Sequence, residues 1–143
     1  MKNFIYLTIA FLVVIANAFI GHYYSPDGIT YTPIVITTTA ALVVFGLSFR
    51  LIWKIVLVFV FVVLNDIFIK LYSGGRHDAE GLEWIHAFML FGVVPVFILL
   101  CVTIVRERKE SGFNRVALLL VFPLLLLLYL YFFYNLGLGQ NYS

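Results

Sequence analysis

The chain has 143 residues, of which 64% are hydrophobic and 11% charged, and its formal net charge is +2. Soluble domains carry about 45–50% apolar and about 25% charged residues, and a chain of this length in water could not hide so much apolar surface. Composition therefore excludes an ordinary soluble fold, and with no long basic tract it argues against a nucleic-acid partner.

The first apolar segment covers about 4–20, directly after Lys2. It is long enough to anchor in a bilayer, since about 20 apolar residues cross one as a helix. A rival reading makes it a cleaved secretory signal, because Ala16-Asn17-Ala18 has the A-x-A form of a cleavage site. The apolar run continues through Phe19-Ile20, which suits an uncleaved anchor. The segment 21–31 reads as a loop, with a turn at Ser25-Pro26-Asp27-Gly28.

Further spans are expected at about 32–49 and 51–72, separated by almost no spacer around Phe49–Lys54. In the second, Thr37-Thr38-Thr39 and Ala40-Ala41 form a small, weakly polar face suited to helix packing. The third contains Ile55–Leu64 (IVLVFVFVVL), which lacks the alternation of a barrel strand. Backbone groups in lipid must pair internally, so such runs are helices.

The loop 73–83 opens with Gly74-Gly75, a helix stop, and leads to a fourth span at about 84–105. Asp78, Glu80 and Glu83 suit the start of that helix, where negative charge offsets the dipole and Asp78 can cap. Cys101, the sole cysteine, lies in an apolar run and has no intrachain disulfide partner. The segment Arg106–Arg115 mixes four basic and two acidic residues, as expected of a loop touching anionic lipid. A fifth span follows at about 116–134, and Pro95 and Pro123 fall inside the last two spans.

The expected fold is all-α: a polytopic transmembrane helical bundle of five spans, or four if the first is a cleaved signal, forming a single domain over 1–143. Lys2, Arg50, Lys54, Arg106, Arg108, Lys109 and Arg115 then share one side, while Lys70 and Arg76 fall on the other. The positive-inside rule places the N-terminus inside and the C-terminus outside. A bacterial cytoplasmic (inner) membrane fits this simple asymmetry. Tyr23, Tyr24, Tyr31, Trp53, Tyr72, Trp84 and Tyr134 near span ends form the expected interfacial aromatic belt.

Chemistry concentrates in Asn65–His86, which holds eight of the nineteen charged or histidine residues. Asp66 lies six residues before Tyr72, roughly 9 Å below the interface at 1.5 Å per residue. Acids at depth are expensive and face the bundle interior or a wet cavity. Lys70, at i+4, can pair with it on one helix face, while Asn65 can bond a neighbouring helix. Glu83 and His86, at i and i+3, resemble half of a carboxylate-bridged metal site, but one such pair is not two. His77, Glu83, His86 and Asp66 are thus the candidate catalytic or metal-ligating residues, with a divalent metal the only cofactor in view. Ser25 and Ser73 sit in no nucleophile elbow.

Three functions stay open. The first is an accessory or structural subunit of an envelope membrane complex, with lipid and other membrane subunits, or copies of itself, as partners. The second is a membrane enzyme or metal protein with its site at the outer mouth of the bundle. The third is a small oligomeric transporter or proton path centred on Asp66.

Overall fold

A computed structural model describes residues 1–25, 27–76, 78–107, 111–139 and 141–142, with backbone alone at 75, 76, 141 and 142. Five helices, α1 (Lys2–Tyr23), α2 (Asp27–Gly46), α3 (Leu51–Tyr72), α4 (Ala79–Arg106) and α5 (Gly112–Phe133), account for nearly all of it. All five are long and apolar enough to cross a membrane. The fold is the all-helical bundle expected from composition, the architecture of a membrane-embedded protein. One short antiparallel pair joins β1 (Gly75–Arg76) to β2 (Asn141–Tyr142).

Helix ends differ from expectation where polar residues continue a helix beyond its apolar stretch. α2 starts at Asp27 instead of 32, so the turn after α1 is short and Gly28 is helical. α4 starts at Ala79 instead of 84 because Asp78 caps it, its carboxylate accepting from the Gly81 amide at 2.8 Å. α2 ends at Gly46, leaving a four-residue link to α3 where almost none was expected. Ser111 caps α5 in the same way, accepting from the Asn114 amide at 3.3 Å, which brings that helix start forward to Gly112.

α1 and α2 form an antiparallel hairpin whose backbones nearly touch: a methyl group on Gly28 would meet the Gly21 backbone and the Asn17 carbonyl. At the other α2 face, Gly92 of α4 admits Ile36 and the Pro33 backbone. Small residues allow such approaches, which dispersion then stabilises in lipid. Thr39 and Ala40, from the small face expected in the second span, are fully buried. α3 is central and packs against each of the other four helices. α5 docks on α3 and α4, and its buried residues are Phe122, Leu126 and Tyr129, one stripe in its second half.

The bundle has two unlike ends. Lys2, Arg50, Lys54, Arg106 and Arg115 share the basic end. The other, the histidine end, holds the last turns of α1, α3 and α5 and the start of α4. There the Gly74 amide and the Ser73 hydroxyl both donate to the Gly21 carbonyl, and the Ser25 hydroxyl donates to that of Gly74.

Candidate functional site

The polar interior is built around two consecutive residues of α3. Successive side chains on a helix point about 100° apart, so Asn65 and Asp66 serve different neighbours. Asn65 accepts from the Asn17 amide of α1 at 2.9 Å and faces the Thr32 hydroxyl of α2 at 3.4 Å. This is the cross-helix bonding expected of Asn65, with both partners now identified.

Asp66 turns toward α5. Its Oδ2 lies 2.7 Å from Lys70 Nζ and accepts from the Tyr129 hydroxyl at 2.6 Å. Lys70 also donates to the Phe133 carbonyl at 3.1 Å, and its ammonium sits 5.7 Å from the Tyr129 ring centroid. Asp66 and Lys70 are 1% and 0% exposed, so the pair expected on one helix face lies wholly inside the bundle. The last carbonyls of a helix lack intrahelical partners and carry its negative dipole end. Lys70 therefore neutralises an acid on its own helix and caps the C-terminal end of another. Together the contacts clamp the second half of α5 to α3.

His86 is also buried, at 6% exposure, and its ring stacks on Tyr134 with centroids 4.1 Å apart. It lies near enough to Asp66 and Lys70 to feel both charges. Neither ring nitrogen has a hydrogen-bond partner among the described residues, and neither does Asp66 Oδ1 or Asn17 Oδ1. Buried polar atoms are normally satisfied by protein or ordered water.

Comparison with known protein families, curated proteins and solved structures gives no match. The site must be read from its own geometry.

Of the candidate ligands, Asp66 and His86 face the interior, whereas Glu83 is exposed on another side of α4. The spacing of Glu83 and His86 allowed a shared face, but packing buries only the imidazole. His77 lies outside the described residues. Among the described residues no three His, Cys, Asp or Glu side chains gather as a metal site would require. His22 is engaged locally: its Nδ1 is 2.9 Å from the Tyr72 carbonyl and its ring stacks on Tyr72. Asp66, Lys70 and Tyr129 thus hold a charge pair and a hydroxyl proton in one buried cluster, which ties helices together and offers a proton-bearing group beside a carboxylate.

Tyr129 and the Phe133 carbonyl were missed from sequence. Tyr129 lies within a run of leucines, where its hydroxyl carries no spacing signal toward residue 66. The usable clue was chemical: a buried tyrosine hydroxyl needs a partner, and Asp66 is the acid at matching depth.

Proposed function

We propose that this small integral membrane protein acts as a non-catalytic accessory or structural subunit of an envelope membrane complex. The observation carrying the reading is the fate of Asp66. Its charge is taken up by Lys70 and Tyr129 in a contact that docks α5. The polar residues Asn17, Asn65 and Thr32 are spent in the same way, joining three helices. Such a bundle is a rigid block with short connections, suited to filling a place beside larger membrane subunits.

The reading also sets an orientation in a bacterial cytoplasmic membrane, with the basic end inside and the histidine end outside. Lys70 is consumed within the bundle, so it no longer counts against the positive-inside asymmetry. Single cysteines at positions 113 and 138, placed in a Cys101→Ala background, test it with an impermeant maleimide on intact cells. Labelling at 138 but not at 113 is expected, and the reverse pattern refutes the orientation.

The subunit role is tested by photo-crosslinkers at Leu124, Leu127 and Tyr131, which are exposed on α5. One membrane protein should be captured in near-stoichiometric yield and should co-purify in mild detergent. A monodisperse monomer with lipid adducts alone defeats the proposal.

A second reading, an oligomeric proton path through Asp66, draws on Asp66 Oδ1 and the His86 nitrogens, which have no partner among the described residues. Water at these atoms would link a carboxylate to an imidazole, a common relay. Proton flux into liposomes that Asp66→Asn leaves unchanged ends this reading.

A further inference from the structure

The clamp at the histidine end has a counterpart at the other end. All buried side chains of α5 fall between Phe122 and Tyr129, and none lies in its first ten residues. Held to α3 in its second half, α5 leaves a crevice along its first half. That crevice has a volume of about 780 Å³, within the range of small-molecule sites.

One wall is a stripe of α5 at i, i+3, i+4 and i+7: Asn114, Ala117, Leu118 and Val121. It extends about 10 Å along the helix axis at 1.5 Å per residue. The opposite wall is Leu51 and Ile52 at the start of α3, and the mouth carries Ser48, Arg50 and Glu107. The site is therefore graded, polar and charged where the helices end and apolar toward the bundle's middle.

Among the described residues the charge at the mouth is positive. Arg50 is exposed there, and Arg115 donates from Nη2 to the Glu107 carbonyl at 2.8 Å, bringing a second guanidinium close. The Glu107 carboxylate is within electrostatic reach of Lys54, which offsets it. The first turn of α3 contains no acid and its start has no side-chain cap, so its dipole adds to the positive field.

We propose that this crevice is a binding site for an anionic glycerophospholipid, with the phosphate-bearing headgroup at Arg50 and one acyl chain along Leu118 and Val121. A soluble anion would use only the mouth, and a neutral lipid only the wall. The combination of the two fits an anionic amphiphile. The depth fits as well, because the mouth lies where four membrane-spanning helices begin or end.

The test uses Trp53, which is exposed one turn from the mouth, in full-length Trp84→Phe protein reconstituted in bilayers. Brominated phosphatidylglycerol should quench its fluorescence with roughly fivefold preference over brominated phosphatidylcholine, the factor expected for one basic side chain at an anionic surface. Arg50→Gln should reduce the preference to near unity, and Arg50→Lys should retain most of it. Ala117→Phe, which fills the crevice, should abolish the preference while Arg50 remains in place. Inorganic phosphate should not compete at concentrations that leave Debye screening unchanged. Equal quenching by both lipids in the otherwise unaltered protein would mean annular lipid only and would overturn the proposal. So would a preference that survives both Arg50→Gln and Ala117→Phe, or one displaced by phosphate.

Discussion

Removing either member of the Asp66–Lys70 pair should cost far more than removing both. The two groups are 2.7 Å apart and essentially unexposed. At an effective dielectric of about 20 their gross attraction is about 6 kcal/mol, most of it cancelling the cost of taking both from water. In Asp66→Leu the Lys70 ammonium loses its carboxylate partner and keeps its carbonyl and ring contacts. In Lys70→Met the Asp66 carboxylate keeps the Tyr129 hydroxyl. Breaking a buried pair in this way costs about 3–5 kcal/mol, with neutralisation of the orphaned group setting the ceiling. The double variant Asp66→Leu/Lys70→Met leaves no charge to bury, and its stability should lie within about 1 kcal/mol of the unaltered protein. Reversible unfolding by steric trapping in bicelles measures all four proteins of the cycle. A coupling of at least about 3 kcal/mol is expected. Single costs below 0.5 kcal/mol, or a double cost equal to their sum, would refute the account of the clamp.

The remaining expectations are smaller. Tyr129→Phe removes one donor to the carboxylate and should cost about 1 kcal/mol, in the range of interhelical hydrogen bonds in membranes. The loss should appear as faster proteolysis of α5 than of α1–α4, and uniform loosening of the bundle would speak against a clamp. Gly92→Ala should lower stability by about 1–3 kcal/mol, the cost of overpacking, because the new methyl meets the Pro33 backbone at 2.7 Å. An unchanged melting temperature would mean that α2 and α4 are not in such close contact. His86→Phe keeps the stack on Tyr134 while deleting two nitrogens that have no partner among the described residues, so stability should change by less than about 0.5 kcal/mol. A large loss would reveal water or another ligand bound at the ring.

Much of this fold could be read from hydropathy because five apolar runs have one answer in lipid. Their ends were less legible. Asp27 and Ala79 open their helices through capping and dipole effects, which an apolar window does not register. The Asp66–Lys70 pair was visible because both residues are on one helix at i and i+4, a spacing that geometry fixes in advance. Its closure by Tyr129 and the Phe133 carbonyl was not, since the register of α5 against α3 depends on how two apolar surfaces interlock. The same limit applies to Glu83 and His86: their spacing allowed a shared ligand set, and the packing of α4 separated them by burial.

That intrahelical spacing matters while the chain is being made. α3 enters the membrane before α5 has been synthesised, so its acid and base would each be costly passengers if unpaired, though below the about 2.5–3.5 kcal/mol of mid-bilayer because both lie toward the helix end. Because both belong to one helix, they can neutralise each other as soon as it coils, without waiting for any later segment. α5 then arrives at a partner whose charges are already balanced. Tyr129 and the Phe133 carbonyl have only to find it, and the order of synthesis becomes the order of assembly.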